Sequence, residues 1–219
     1  MTQFDWDLVI QRFPIFLKAT IPTIQLTLMA ISFGTIIGLI IALMKISKKS
    51  PLVILGTIYT WIFRGIPLLV QLFIIYYGLP SIGIEFSPRQ AAALGLSLCG
   101  GAYIAEIIRG GIQSIDKGQM EAAYSLGMSW EMAMFRVIIP QSLRRLVPPM
   151  GNEFITLLKD TSLVAVISMV EILRTAQTQA SATFKPFEMY MTAGFLYLVL
   201  TTIFTIMFKK LEEYLAQSE

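Results

Sequence analysis

The sequence predicts an all-α, polytopic membrane protein with five transmembrane helices, and three observations predict it. Of 219 residues, 55% are apolar and 14% charged, against about 25% charged in a soluble domain. Mean hydropathy is +0.69. The apolar residues also gather in five runs, each near the ~20 residues that cross a bilayer, with turn-forming pairs at the joints: Ser50-Pro51, Pro80-Ser81, Ser87-Pro88, Pro148-Pro149 and Lys185-Pro186.

The elements follow in order. Residues 1–20 mix Asp5, Asp7, Arg12 and Lys18 with Phe4, Trp6, Phe13 and Phe16. A secretory signal opens on a basic start and then an apolar stretch; this segment has neither and reads as an amphipathic piece at the bilayer surface. The first span is Ile21–Met44, without charge. The second, Leu52–Gly78, is interrupted by Arg64. Gln90–Ile108 is the third, with Glu106 near its end. The fourth, Leu146–Met169, carries Glu153, Lys159 and Asp160, and the fifth, Met189–Phe208, is again uncharged. All belong to one transmembrane domain, 1–219.

Loop charges set the direction. Lys45, Lys48, Lys49, Arg109, Lys117, Arg136, Arg144, Arg145, Lys209 and Lys210 fall on one side, and Arg12, Lys18, Arg89, Arg174 and Lys185 on the other. The richer side is cytoplasmic by the positive-inside rule. The N-terminus is then expected outside, the C-terminus inside, and the segment 113–140 in the cytoplasm. The basic residues form no single stripe, which argues against nucleic acid. No histidine is present, so the commonest metal ligand and proton shuttle are missing. The single Cys99 lies in an apolar run and is expected to pack as a small hydrophobe.

Within 113–140, Asp116 followed by Gln119 reads as a capping box, residues 117–126 favour helix, and Gly127 is a natural stop. Ser129 caps a second short helix, with Glu131 in its first turn, and Pro140 is expected to end it. Met120, Ala123, Tyr124, Met128, Met132 and Phe135 give this loop an apolar surface. Either a partner covers it, or the helices pack back on their own spans or lie on the membrane.

Glu121-Ala122-Ala123, then Gly127, then Val137-Ile138-Ile139-Pro140 resembles the signature loop of bacterial ABC-importer permeases, with Val137 and Ile139 as mild departures. Gly101-Ala102-Tyr103 with Glu106 and Arg109-Gly110-Gly111, Pro140-Gln141 with Arg144, Asn152, and Lys159-Asp160-Thr161-Ser162-Leu163 are similar to the polar amino-acid permeases. So is Arg64-Gly65-Ile66-Pro67-Leu68-Leu69 with Gln71. The resemblance implies a multi-pass subunit of the bacterial cytoplasmic membrane. It pairs with a second permease copy, identical or related, to make a pore. Two ATPase subunits sit below, and an extracytoplasmic binding protein delivers the amino acid. Glu121, Ala122, Ala123, Tyr124, Gly127 and Met128 would couple ATPase to spans. The chain is then no enzyme itself. It lacks Gly-x-x-x-x-Gly-Lys-Ser/Thr and so has no phosphate-binding loop; ATP and Mg would be bound by the partner, with no cofactor in this chain.

An amino-acid substrate brings a carboxylate and an ammonium into a low-dielectric path, and ionisable groups at that depth usually face a cavity or a partner. Glu153, Thr156 and Asp160 are spaced three, four and seven apart and share one helical stripe. Lys159 points ~100° away. Asn152, Thr161 and Ser162 add neutral polar groups. Arg64 precedes Pro67, which lacks an N–H and leaves the Phe63 carbonyl without its helical partner; a broken span with a cation nearby suits a substrate carboxylate. These residues either contact substrate or pair with one another to fix packing. Two carboxylates lean toward a basic amino acid. Glu106 and Arg109 read as a local pair. Tyr76, Tyr77, Phe187 and Tyr190 read as an interface belt. Glu171 and Arg174 lie in the outer loop after span four, either touched by the binding protein or simply solvated. An ion- or proton-coupled carrier using Glu153, Lys159 and Asp160 as a relay is the alternative, but it leaves the large cytoplasmic loop without a task.

Overall fold

The computed structural model describes residues 4–47 and 49–216, and among these it is helical without strands. The helices are α1 Trp6–Ile46, α2 Ser50–Gly65, α3 Leu68–Phe73, α4 Pro88–Gln113, α5 Lys117–Ser125, α6 Trp130–Ala133, α7 Ile139–Asp160, α8 Ile172–Thr183 and α9 Pro186–Ala216. Three of them, α1, α4 and α9, are long and apolar enough to cross a membrane. The broken pair formed by α2 and the stretch from Leu68 to Ile82, bent by 98°, adds a fourth candidate. The remaining expected span is α7, which is 22 residues long but carries Arg144, Arg145, Glu153, Lys159 and Asp160.

Helix α1 corrects the expectation of a separate N-terminal piece. From Trp6 on, the segment is the first part of the same 41-residue helix, capped by Asp5, whose carboxylate accepts the Leu8 N–H at 3.0 Å. Pro14 and Pro22 lie inside it. The chain is nonetheless helical on both sides of each. Phe16 and Ala19 are buried against α8 and α9, so tertiary packing holds this stretch. Residues 1–3 lie outside the described part.

The most extensive packing joins α1 and α4. A Cβ on Gly38 would stand 2.7 Å from Ile104 Cγ2 and 3.0 Å from the Gly101 carbonyl, and one on Gly34 3.3 Å from the Gly101 N. Small residues let two backbones approach this closely, which is how spans associate where lipid is as apolar as leucine. At the end of this contact Glu106 of α4 bonds Lys45 of α1 and Arg109, the latter at 2.6 Å. The Lys45 ammonium also donates to Thr60 Oγ1 of α2 at 2.8 Å. The expected local pair is thus one corner of a cluster tying three helices.

Two further expectations change. Pro140 does not end the second loop helix. A π turn, Met134–Ile138, runs from α6 into α7, with the Ile139 N–H reaching the Met134 carbonyl. Proline is tolerated in a first turn, and the widened turn absorbs its missing donor. Glu171 is not solvated: it is 0% exposed. Its carboxylate caps α8, accepting N–H bonds from Leu173 at 2.8 Å and Arg174 at 2.6 Å and the Tyr197 hydroxyl at 2.5 Å. Arg174 leans on Gln177 at 3.4 Å.

Candidate functional site: a polar cavity at the broken span

The break in the second span builds one wall of a cavity. Helix α2 stops at Gly65, Ile66 turns to extended geometry (φ −97°, ψ 128°), and Pro67 starts α3. The expected orphan, the Phe63 carbonyl, has found a substitute donor: Gln71 Nε2 bonds it at 2.9 Å and the Ile66 carbonyl at 2.7 Å. The Cys99 thiol adds a weak bond to the same Phe63 oxygen at 3.7 Å. Arg64, at the end of α2, lays its guanidinium over the Tyr103 ring, 5.2 Å from the centroid, a cation–π contact.

The opposite wall is α7. Glu153, Thr156 and Asp160 line the same cavity of about 540 Å³ as Arg64 and Tyr103. Glu153 and Asp160 are half-buried and Thr156 is exposed. The Thr156 hydroxyl donates to the Asn152 carbonyl at 3.0 Å, leaving its lone pairs free toward the cavity. Among the described residues no ion pair joins Arg64 or Lys159 to either carboxylate. Cation and carboxylates therefore face one space without neutralising each other directly.

Three expected contributors lie elsewhere. Asn152 opens on a separate pocket beside Thr205, Lys209 and Glu212. Thr161 is fully buried and its hydroxyl donates to the Leu158 carbonyl at 2.6 Å. Ser162 is half-buried and outside the cavity lining. Gln71 and Tyr103 had been quoted from the sequence only as parts of a motif. Gln71 carried a readable signal: it is the one polar side chain between Pro67 and Tyr76, four residues beyond the proline that frees a carbonyl.

The loop 113–140 forms the second feature. Asp116 caps α5 by accepting the Gly118 N–H at 2.7 Å. Gln119 does not close a capping box and instead accepts from Gln141 at 3.0 Å. Gly127 takes φ +78°, a left-handed turn that suits glycine, and Ser129 caps α6 through the Met132 N–H at 3.2 Å. The apolar surface divides. Met120 packs inward on Ile115, Met134 and Ile138, and Ala123 is buried. Met128 is half-buried, while Glu121, Ala122 and Tyr124 face out. Leu126, 79% exposed, and Phe135, 67% exposed, complete the outward patch with Met132. Leu126 had not been singled out from the sequence.

Residues 34–216 match the family described as binding-protein-dependent transport system inner membrane component. The L-cystine transport system permease protein TcyB of Bacillus subtilis (strain 168) is 40% identical, covering 99% of this chain and 95% of its own. The arginine transport system permease protein ArtQ of the same organism is 37% identical over 98% of this chain and 99% of its own. The crystal structure of an amino acid ABC transporter with histidines superposes with TM-score 0.93 at 41% identity, covering 98% of this chain and 100% of that one. The MetNI methionine ABC transporter, at TM-score 0.80 and 19% identity over 93% of this chain and 97% of its own, shares the fold. The chain belongs to the family of inner-membrane components of binding-protein-dependent transport systems.

Proposed function

We propose that this chain is the membrane-spanning subunit of an ATP-driven importer of polar amino acids, with a preference for cationic ones. In this reading it has five spans: α1, α2 with α3, α4, α7 with the 3₁₀ turn that follows it, and α9. The N-terminus is outside and the C-terminus inside, in a bacterial cytoplasmic membrane. A second permease copy completes the pore. A binding protein delivers substrate from outside, and ATPase subunits dock on α5 and the outward patch of Tyr124, Leu126, Met132 and Phe135. Glu121, Ala122, Ala123, Gly127 and Met128 shape that contact.

The observation that carries this reading is the cavity in which Arg64 stands opposite Glu153, Thr156 and Asp160 at a broken span. A basic amino acid has one carboxylate and two cations, and the lining offers the complement: a guanidinium for the carboxylate, two carboxylates and a hydroxyl for the ammonium and side chain. Relatives whose names specify cystine and arginine share the same length of chain, so the lining rather than the fold must choose the substrate. Asn152, Thr161 and Ser162 act in this proposal on span packing, not on substrate.

The test is ATP hydrolysis in proteoliposomes holding this chain with its ATPase and binding protein, titrated with L-arginine, L-lysine, L-histidine, L-glutamine and L-cystine. Stimulation by the basic three above the others is the expected result. Stimulation by glutamine or cystine alone would keep the importer and remove the cationic preference. Transport that follows an ion gradient without ATP would replace the importer by a secondary carrier.

A further inference from the structure

We propose that Gln71 is the positioning residue of the substrate cavity: its side-chain amide replaces the backbone donor that Pro67 lacks and so holds the break with Arg64 facing the cavity. Where a helix breaks at membrane depth, each freed carbonyl must find a donor or cost several kcal/mol. Four carbonyls, from Phe63 to Ile66, lose their helical donors here, and the side chain of Gln71 answers two of them. Phe63 O would take the N–H of residue 67, which proline does not have. Ile66 O would take the N–H of residue 70, but Val70 N–H turns to the Pro67 carbonyl at 2.9 Å. Gln71 Nε2 has two protons and spends them on these two oxygens, at 2.9 and 2.7 Å. Two acceptors facing one amide also fix which end is nitrogen. The remaining amide oxygen, Gln71 Oε1, is buried without a partner among the described residues. Gln71 itself is 4% exposed, beside Leu68 and Leu72 in the core.

This placement decides where Arg64 goes. Arg64 is the residue after Phe63 and two before Ile66, so both bonds of Gln71 bracket it. With them intact, α2 ends at Gly65 and the guanidinium reaches the Tyr103 ring. Without them the two carbonyls gain most by restoring a helical path or by turning toward water in the cavity. Either movement swings Arg64 relative to Glu153 and Asp160 on the facing helix. Gln71 does not line the cavity, so it acts through Arg64 rather than by touching substrate. The effect on substrate rests on the transport reading above; the hold on the break does not.

The experiment uses the chain assembled with its ATPase and binding protein in nanodiscs, comparing wild type, Gln71→Met and the double variant Pro67→Ala/Gln71→Met. Amide hydrogen exchange over residues 62–72 and L-arginine-stimulated ATP hydrolysis are both measured. Gln71→Met should speed exchange in that window and raise the half-saturating L-arginine concentration about tenfold, the worth of one hydrogen bond, with maximal hydrolysis little changed. The double variant regains a backbone N–H for Phe63 O. It should bring exchange in that window back toward the wild-type rate while half-saturation stays raised, because the span straightens and Arg64 remains displaced. Unchanged exchange in Gln71→Met overturns the proposal. So does a loss of maximal rate at unchanged half-saturation, or full recovery of affinity in the double variant. If no amino acid stimulates the wild-type assembly, the transport reading falls, and exchange alone then supports or overturns the hold of Gln71 on the break.

Discussion

A carboxylate at membrane depth is costly, and if α7 is the fourth span, as proposed, two of them share one stripe of it. Their rotation about the helix follows from spacing alone: three, four and seven residues apart puts Glu153, Thr156 and Asp160 on one face. Asn152, Thr161 and Ser162 do not line the cavity that this stripe faces: Asn152 opens on another pocket, and Thr161 and Ser162 belong to the 3₁₀ turn that follows α7. Arg64 was legible as a cation near a break, but its rest on Tyr103 needs the third dimension, since α2 and α4 meet only in the fold. For the stripe itself, Asp160→Asn should lower the apparent affinity for L-arginine about tenfold, the loss expected of one charge-assisted hydrogen bond, and leave L-glutamine nearly unaffected. Uptake assays in proteoliposomes read both. Equal losses for the two substrates would assign Asp160 to packing.

At the scale of elements, caps and punctuation were readable and tertiary compensation was not. Asp116, Gly127 and Ser129 do what their residue types predict. Pro140 does not stop its helix, because a π turn spares the donor it lacks. Glu171 becomes a buried cap because Tyr197 and two backbone N–H groups satisfy it, partners that a linear sequence does not place nearby. The α1–α4 contact is the clearest case of hidden packing. Gly34 and Gly38 look like ordinary span glycines, yet Gly38 stands against the Gly101 backbone. Gly38→Leu should therefore destabilise the chain by about 1–3 kcal/mol, the usual cost of overpacking, seen as a lower midpoint of thermal unfolding in detergent. Gly194→Ala is the control. It has nothing within 4 Å of the new methyl and should be neutral or stabilising by about 0.5–1 kcal/mol.

For the whole molecule, composition alone announced a membrane protein, and three of the five expected runs, with the bent second as a fourth, are helices long and apolar enough to cross a membrane. The break expected at Pro67 bends the second run by 98°, and what the pattern missed is that the connection before α9 is itself a helix. Orientation has a direct test. Ser125 on α5 and Ser181 on α8 are both exposed, and the native Cys99 is buried. With the proposed topology, a membrane-impermeant maleimide added to intact cells should label Ser181→Cys and spare Ser125→Cys; inverted membrane vesicles should reverse the pattern. Labelling of both from outside would overturn the charge-based orientation.

The π turn before Pro140 has a mechanical meaning. Had Pro140 ended the helix, a flexible joint would separate the exposed Phe135 from the carboxylates, and a displacement at one end would dissipate in loop motion. Instead the chain is helical without interruption from Trp130 to Asp160. The α7 part alone is about 33 Å of rod at 1.5 Å per residue. In the proposed importer, a tilt imposed where the ATPase docks would be carried along α7, past Pro148 and Pro149, to Glu153 and Asp160. The distance of these carboxylates from Arg64, and with it the hold on substrate, would then be set from the docking end of one continuous helix.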